Sequence, residues 1–403
     1  MLCDDMPNPF RGGTIRPYHL MRILSEDYGY EITLISFIDR HADPRRYSED
    51  IASYCRVITP DQIDTRMSLL RAFLFTLKNC LSSRNILSDH FSRFDSLYSP
   101  RMDAIIQGEL RNGKYDAIYA RGLVAHYVVN SELPKIVEAS DAVSFGYLQE
   151  YRNEKNPFRR LIPMLMYLKA RDRERTYFPR FDYCIAVTEL DKEILEQNAR
   201  LSNVILNPNG TDISYFSPMN LEEEYPSLVY VGAMSTPKNV NTVLNFCSNI
   251  YPAISDGVPG VKLYIVGGDP HPAVSRLSSP SITVTGFVDD VRPYLAKCSV
   301  FIVPMTEGTG IKNKVLEAMA MAKPVVTTPV GILGIDAKKD EEVVVVNGHR
   351  EFADAVIGLL RDAEMRTRIG NNARKLVERR YSWERTASAI NGCFEELRRR
   401  DSF

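Results

Sequence analysis

Short runs of β-forming residues alternate with segments of helical periodicity along the whole chain. The runs that predict strands are residues 31–37, 116–120, 135–139, 183–187, 228–231, 262–266, 281–285, 300–303, 324–328 and 342–346. Strands that alternate with helices join into parallel sheets, because each parallel connection needs a crossover segment, usually a helix. The chain is therefore predicted to be an α/β protein.

The chain is too long for one ordinary hydrophobic core, and its composition is that of a folded protein. It has 403 residues, of which 44% are hydrophobic and 25% are charged. The turn-forming cluster at residues 207–212 predicts a hinge between two domains. The apolar residues of 382–399 recur at helical spacing, which predicts a last helix that docks on another part of the chain.

Charge and cysteine content exclude several classes of function. The 50 Lys and Arg residues nearly balance the 51 Asp and Glu residues, so no overall positive field favours a nucleic-acid partner. The 7 cysteines and 6 histidines are scattered without metal-ligand spacing, which indicates free thiols in a reducing compartment and predicts no metal site. No apolar run approaches the ~20 residues that span a bilayer. We predict a cytoplasmic protein, with the inner face of the membrane as an alternative location.

Residues 300–328 carry the strongest indication of chemistry. A buried strand ends at Pro304, a loop with Gly308 and Gly310 follows, and a helix begins near Asn313. Open α/β sheets bind ligands at the carboxyl ends of their strands, and the start of a helix offers unpaired N–H groups to an anion. The glycines allow the backbone to approach such a ligand closely.

Glu317 is predicted to lie in the first turn of that helix and to face the same crevice. A carboxylate there accepts hydrogen bonds from two neighbouring hydroxyl groups, as on a ribose, each worth roughly 1.5 to 3 kcal/mol. The alternative is that Glu317 only complements the helix dipole, which contributes ~0.3 to 1 kcal/mol. The residues alone leave both interpretations open.

Five ordered motifs resemble those of the GT-B glycosyltransferases of glycosyltransferase family four, also called group 1. They are residues 208–212, 229–240, 263–269, 285–291 and 300–328. Residues 11–16 resemble the glycine loop after the family's first strand, and residues 381–384 resemble the start of its terminal crossover helix. Within the family, the chain is similar to bacterial sugar transferases of exopolysaccharide clusters.

The resemblance implies a GT-B fold, in which two Rossmann-like domains face each other across a donor-binding cleft. Residues 1–207 would form the acceptor domain, completed by a crossover helix at 383–403, and residues 208–382 would form the nucleotide-sugar donor domain. The resemblance also implies a retaining transferase without a cofactor. Its co-substrate would be a nucleotide-diphosphate sugar, and its acceptor a glycan or lipid-linked molecule in exopolysaccharide or cell-surface glycan synthesis.

The same resemblance implies roles for individual residues. Glu317 would hold the ribose diol, and Lys238 would pair with the phosphates unless it is only a solvated loop lysine. Gly12 and Gly13 would contact the diphosphate or the sugar from the first domain, unless they form only a tight turn. The loop residues that would lie against the sugar and the diphosphate are Gly308, Thr309, Gly310 and Ile311.

The spacing departs from that of the family in the loop before Glu317. The family usually has two glutamates with seven residues between them, whereas nine residues separate Glu307 from Glu317 here. Counting back from Glu317 puts Thr309 at the position that contacts the sugar hydroxyl groups. Glu307 is then either a ligand that a bulged loop brings in or an exposed side chain.

Two cationic positions also depart from the family. Ala233 stands where an arginine often follows the glycine of the second domain's first strand. Lys314 and Lys312 are the nearest replacements for its charge, and we predict that Lys314 takes the role. Arg121 stands where many relatives carry a histidine near the acceptor, which predicts a phosphate or acceptor contact or, alternatively, a local ion pair. His126 has the helical spacing of a packed residue.

No pair of aspartates stands at a predicted strand end where a metal ion could bridge a diphosphate. Asp289 and Asp290 precede a predicted helix, which favours an N-cap. We therefore predict metal-independent catalysis by front-face attack, in which the leaving phosphate takes the acceptor proton. Ala233 and the altered glutamate spacing leave one alternative, a catalytically weak GT-B subunit that binds sugar nucleotides or a partner. A nicotinamide-dependent oxidoreductase is excluded, because neither glycine pair belongs to a G-x-G-x-x-G turn.

Residues 152–180 mix nine Lys and Arg residues with apolar side chains. This mixture predicts contact with an anionic membrane or with a lipid-diphosphate acceptor. The alternative is an amphipathic helix that packs on its own sheet and keeps a solvated basic face. Residues 67–81 would add apolar area to a membrane contact.

Overall fold

The computed structural model describes residues 1–9, 12–39, 50–59, 62–63, 97–140 and 142–400. The chain divides into two compact units. The first comprises the described residues of Met1–Asn207 together with those of Thr386–Phe403, and the second is Pro208–Arg385. Arg11, the apolar segment 67–81 and residues 401–403 lie outside the described residues.

Parallel strands form the main sheet of the first unit. The strands of this unit are β1 (Leu2–Cys3), β2 (Ile32–Ser36), β3 (Ile38–Asp39), β4 (Cys55–Ile58), β5 (Gln62–Ile63), β6 (Ile118–Arg121), β7 (Lys135–Ala139), β8 (Tyr183–Ala186) and β9 (Val204–Leu206). In the described part of the chain, seven of them form one parallel sheet in the order β4-β2-β1-β6-β7-β8-β9, and β3 pairs with β5. The two-residue strand β1 therefore lies inside this sheet, between β2 and β6.

Helices cover both faces of this sheet. They include α1 (Ile15–Glu26), α2 (Pro100–Asn112), α3 (Val143–Asn153), α4 (Pro157–Tyr177) and α5 (Glu189–Ala199). Adjacent residues of a strand point to opposite faces of its sheet. Leu2 belongs to the same apolar cluster as Met102 of α2, whereas its neighbour Cys3 clusters with Met21 of α1. The sheet is thus buried on both faces, as parallel sheets usually are.

The second unit repeats this architecture. Its strands are β10 (Ser227–Val231), β11 (Lys262–Val266), β12 (Ile282–Gly286), β13 (Val300–Val303), β14 (Val325–Thr327) and β15 (Val344–Val345). They form one parallel sheet in the order β12-β11-β10-β13-β14-β15. Each strand run predicted from the sequence overlaps a strand of the structure, and the predicted α/β class with parallel sheets is confirmed.

Helices also flank both faces of the second sheet. They are α6 (Pro237–Asn249), α7 (Tyr251–Gly257), α8 (Pro272–Ser275), α9 (Arg292–Lys297), α10 (Asn313–Ala320), α11 (His349–Arg361) and α12 (Ala363–Arg380). Leu228 of β10 clusters with Phe246 of α6, whereas the next residue, Val229, clusters with Leu316 of α10. Because its strands are parallel, the carboxyl ends of β10 and its neighbour β13 open onto the same edge of the sheet.

The chain passes between the two units twice, and within each unit a hydrogen bond joins the two chain segments that lead to these passages. On the side of the first unit, the amide of Asn207 donates to the carbonyl oxygen of Thr386 at 3.0 Å. On the side of the second unit, the N–H of Thr211 donates to the carbonyl oxygen of Tyr381 at 2.8 Å. The last helix, α13 (Trp383–Arg400), begins at the second passage with a buried tryptophan and occupies the segment where the sequence predicts a helix.

Candidate functional site

Two glycines and one lysine shape the loop after β13. Gly308 has φ +144° and Gly310 has φ +64°, values that side chains rarely adopt and glycine tolerates. The ammonium group of Lys312 donates hydrogen bonds to the carbonyl oxygens of Thr309 at 2.9 Å and of Gly310 at 2.7 Å. Lys312 therefore stabilises the loop itself.

Lys314, the second residue of α10, reaches from this loop to the carboxyl end of β10. Its Nζ atom donates hydrogen bonds to the hydroxyl of Tyr230 and to the side-chain oxygen of Asn239, both at 3.1 Å. It also lies 4.3 Å from the centre of the Tyr230 ring, within cation–π distance. A Cβ atom placed on Gly232 would stand 2.8 Å from Nζ. The structure thus puts the Lys314 charge next to Gly232, which directly precedes Ala233, the position where the family often carries an arginine.

Tyr230 and Asn239 also belong to this site, although the sequence motifs do not single them out. Tyr230 is buried in β10, and its hydroxyl donates to the side-chain oxygen of Asn239 at 2.7 Å. The amide of Asn239 in turn donates to the carbonyl oxygen of Ala233 at 3.0 Å. One signal was available, because a buried hydroxyl requires a polar partner and Asn239 directly follows Lys238 in the motif at residues 229–240.

Lys314 and Glu317 are both half-buried on α10, three residues apart. Burial lowers the pKa of Lys314 to about 7, although the Glu317 carboxylate opposes this shift. Burial likewise raises the pKa of Glu317 to about 7, and the Lys314 ammonium group opposes it. Each charge favours the ionised form of the other group. A ligand that pairs with the ammonium group therefore also promotes ionisation of the carboxyl group.

Glu317 lies in the second turn of α10, and its predicted position in the first turn is wrong. The helix begins at Asn313, so Glu317 is its fifth residue, and the first turn contains no acidic residue. The effect of the helix dipole falls off within the first turn, which makes dipole complementation a weak explanation for this carboxylate. Within the described residues, only burial and the Lys314 charge shift its pKa, and no hydrogen bond contributes.

The other residues predicted for the donor site differ in exposure. Lys238 is exposed at the second position of α6, and Glu307 is exposed in the loop after β13. Thr309 is half-buried. Ile311 is partly buried and packs against the apolar core of the second unit. The structure therefore brings Lys314 and Glu317 together and leaves the side chains of Lys238 and Glu307 open to solvent.

Gly12 and Gly13 lie between β1 and α1 in the first unit. Both are exposed, and among the described residues a Cβ atom on either glycine would meet no other atom within 4 Å. Tight packing therefore does not require glycine at these positions. Their contact with a diphosphate or a sugar stays a prediction.

Arg121 ends β6 and takes part in a group of buried charges. Its Nη1 atom lies 2.7 Å from Oδ1 of Asp4, and its Nε atom lies 3.6 Å from Oε1 of Glu138. Glu138 also pairs with Arg16 at 3.0 Å. Burial opposes ionisation of Glu138, but the two arginines, together with hydrogen bonds from Ser140 and Tyr119, outweigh it and hold the pKa of this carboxyl group below its ordinary value. The local ion pair that the sequence left open for Arg121 is thus present in the structure.

Asp290 interacts with an arginine two residues further along the chain. Its carboxylate accepts hydrogen bonds from the backbone N–H of Arg292 at 2.9 Å and from the guanidinium group at 2.8 Å. Across the described ranges, no three His, Cys, Asp and Glu side chains are grouped closely enough to hold a metal ion. No helix among the described residues combines the length and apolar character needed to cross a membrane.

Comparison with known proteins identifies the domain that contains Lys314 and Glu317. Residues 225–362 match the family model described as "Glycosyl transferases group 1". The second unit carries a group 1 glycosyltransferase domain. The resemblance drawn from the five sequence motifs is confirmed.

Two relatives illustrate how far the sequence similarity extends. The capsular polysaccharide biosynthesis glycosyltransferase CapM of Staphylococcus aureus is 28% identical over 240 residues, which cover 53% of this chain and 62% of CapM. A glycosyltransferase of Methanocaldococcus jannaschii, MJ1178, is 26% identical over 230 residues, which cover 54% of this chain and 60% of the relative. The matched region therefore spans less than two thirds of either relative.

Solved structures resemble nearly the whole chain. Sucrose-phosphate synthase from Thermosynechococcus elongatus superposes with a TM-score of 0.70 at 17% identity and covers 98% of each chain. HepE from Anabaena, solved in complex with UDP, gives a TM-score of 0.65 at 15% identity, with 98% of this chain and 99% of HepE covered. These likenesses confirm the predicted GT-B fold with two Rossmann-like domains.

Proposed function

We propose that this protein is a retaining glycosyltransferase that transfers a sugar from a nucleotide-diphosphate sugar to a glycan or lipid-linked acceptor. The observation that carries the proposal is the half-buried pair Lys314 and Glu317 in a group 1 glycosyltransferase domain, at the sheet edge where α/β proteins bind nucleotides. A relative named for capsular polysaccharide biosynthesis supports a role in exopolysaccharide or cell-surface glycan synthesis. The structures of HepE with UDP and with UDP-glucose support a nucleotide-sugar donor.

In the proposed complex, Glu317 accepts hydrogen bonds from the ribose diol. Among the described residues, no hydrogen bond to this carboxylate shifts its pKa. Its oxygens can therefore accept hydrogen bonds from a ligand. Lys314 and the exposed Lys238 balance the negative charge of the diphosphate. Because the pKa of Lys314 lies near 7, pairing with a phosphate favours its charged form and, through it, the charged form of Glu317.

The transfer proceeds by front-face attack without a divalent cation. The bond between the anomeric carbon and the diphosphate oxygen breaks, an acceptor oxygen forms the new bond on the same face, and the leaving diphosphate takes the acceptor proton. The protein contributes positioning and fixed positive charge, which are the main sources of catalysis in such a reaction. The backbone from Gly308 to Gly310 lies against the sugar and the diphosphate. The contact of Gly12 and Gly13 with the diphosphate or the sugar, and that of Arg121 with a phosphate or the acceptor, belong to the same proposal.

A cytoplasmic location fits the chemistry of the cysteines. All the cysteines of the described residues are free thiols, as is usual in a reducing compartment. If the acceptor is lipid-linked, the reaction takes place at the inner face of the membrane.

Transfer from a panel of UDP- and GDP-sugars to glycan and lipid-linked acceptors tests this proposal. We expect Glu317→Ala and Lys238→Ala to abolish or strongly reduce turnover. Glu364→Ala and Lys339→Ala, which change exposed residues of the same unit, serve as matched controls and should leave turnover unchanged. NMR of the product is expected to show the donor's anomeric configuration, and activity should persist in EDTA. An inverted product contradicts the retaining mechanism, and loss of activity in EDTA contradicts metal independence.

A catalytically weak subunit that binds sugar nucleotides is the second candidate, and the absence of an arginine at Ala233 favours it. The two candidates differ in turnover and agree in binding. A nucleotide that raises the unfolding temperature of the protein, with neither transfer nor hydrolysis of any sugar nucleotide in the panel, would favour the binding subunit.

A further inference from the structure

Helix α4 carries a stripe of exposed leucines, defined here as Leu161, Leu165 and Leu168. These side chains are 60%, 41% and 39% exposed. Their spacing of four and three residues places them on one side of the helix, because an α-helix turns about 100° per residue. The stripe is an apolar surface, because at least 39% of each of its leucine residues stays exposed in the described part of the chain.

The orientation of α4 is fixed from its other side. Ala170 and Glu174 are fully buried and lie on the face of the helix roughly opposite the leucine stripe. The Glu174 carboxylate accepts a hydrogen bond from the backbone N–H of Ser144 on α3 at 3.0 Å, and another from the Ser144 hydroxyl at 2.6 Å. The buried face thus anchors α4 in the first unit, and the stripe points outward as a consequence.

Charge is concentrated around the same helix. Residues 152–180 contain nine Lys and Arg residues and three Asp and Glu residues, a net charge of +6, whereas the whole chain has a net charge of −1. Lys155, which precedes α4, and Arg175, which lies near its end on the side of the stripe, are exposed. Asp172 lies one turn beyond Leu168 on the same side of the helix and is exposed, so the apolar stripe ends before it. An apolar stripe within a strongly basic surface matches a layer of anionic headgroups over hydrocarbon chains.

We propose that α4 docks the protein on an anionic lipid bilayer, with the leucine stripe inserted between headgroups and the surrounding cations facing lipid phosphates. The helix lies along the surface in this arrangement. The proposal does not depend on the donor chemistry, because it rests on residues of the first unit only. It assigns the surface from which a lipid-linked acceptor would be reached.

Liposome flotation of the full chain tests the proposal, with vesicles of phosphatidylcholine alone or mixed with phosphatidylglycerol. We expect binding only to the mixed vesicles and only at low salt. The variant Leu161→Ser, Leu165→Ser and Leu168→Ser should lower the ratio of bound to free protein at least about tenfold, because the apolar contribution is lost. The variant Lys155→Glu and Arg175→Glu should also lower this ratio by more than about tenfold, since each cation near the surface contributes about fivefold.

Matched controls come from the second unit. Met219→Ser with Leu221→Ser changes two side chains that are each 39% exposed, and a charge reversal at the exposed Lys339 and Lys375 matches the basic variant. Both controls should float like the wild type. Wild-type protein that does not bind anionic vesicles at low salt overturns the proposal, as does a leucine variant that binds equally well.

Two further outcomes would assign the stripe to another occupant. A leucine variant whose unfolding temperature falls by several degrees below that of its control would mean that the stripe packs within the molecule. A wild-type dimer that the leucine variant converts to a monomer would mean that a second copy covers it. UDP- or GDP-induced stabilisation is measured in parallel, so that a failure of membrane binding stays distinct from a failure of donor binding.

Discussion

Replacing Lys314 by methionine tests the cation that is proposed to balance the diphosphate. Methionine keeps most of the apolar stem and removes the charge and both hydrogen bonds of 3.1 Å. The bond between Tyr230 and Asn239 at 2.7 Å does not involve Lys314 and should remain. A charge-assisted contact contributes roughly 1.5 to 3 kcal/mol, so its loss in the transition state should lower kcat by about 10- to 150-fold.

The same substitution should also act on Glu317. The Lys314 ammonium group opposes the rise in the pKa of Glu317, so its removal raises that pKa further above its present value of about 7. At neutral pH the carboxyl group is then more often protonated and accepts weaker hydrogen bonds from the donor. We expect KM for the nucleotide sugar to rise in the variant and to recover as the pH is raised above 7, whereas kcat should not recover.

Steady-state kinetics over a pH series measures both effects, with Lys339→Met as an exposed lysine control in the same unit. Thermal unfolding of both variants checks that the fold is retained. A kcat of Lys314→Met within about twofold of wild type would refute the assignment of this lysine.

Further predictions concern the neighbours of this pair and the buried charges of the first unit. Glu317→Gln should reduce the stabilisation of the protein by UDP or GDP in a thermal-shift assay, since a neutral amide is a weaker acceptor for the ribose diol, and Glu364→Gln should leave it unchanged. Gly232→Ala would place a Cβ 2.8 Å from Nζ of Lys314, so we expect it to displace the lysine and raise KM while circular dichroism stays that of the wild type. The pKa of Glu138 is lower in the folded protein than its value of 4.5 in the unfolded chain, so the ionised carboxylate stabilises the fold above pH 4.5. This contribution should be lost as the pH falls through the pKa of the folded state. Urea unfolding should therefore show a smaller loss of stability below pH 4.5 for a Glu138→Gln variant, and an unchanged pH dependence would contradict the assignment.

The fold could largely be predicted from the sequence because each buried strand of the second unit is a compact apolar run. The strands missed in the first unit, such as β4 (Cys55–Ile58) and β9 (Val204–Leu206), have only three or four residues, and partly exposed side chains weaken their pattern. Their strand character depends on pairing with β2 and β8, which are already in place. Short pairings of this kind are decided by tertiary structure, and local sequence carries little of that information.

The candidate site could be predicted only in part. The motif around Glu317 identified the loop and the helix, because these residues are adjacent in sequence. Lys314 contacts Asn239, which is 75 positions away in the sequence, and Tyr230, which is 84 positions away. These contacts exist because β10 and β13 are neighbours in the sheet. The ion pair of Arg121 with Asp4 likewise depends on the pairing of β1 with β6. Sequence spacing does not report such neighbours.

The hydrogen bond between Asn207 and Thr386 bears on how such a protein can be rebuilt. It joins the residue before the second unit to the residue after it at 3.0 Å, so the whole segment Pro208–Arg385 leaves and re-enters the first unit at one point. A segment with adjacent ends can be exchanged as a cassette without stretching the chain that receives it. Chimaeras that take this segment from a relative should therefore fold, and they offer a way to test whether the second unit determines the proposed donor sugar.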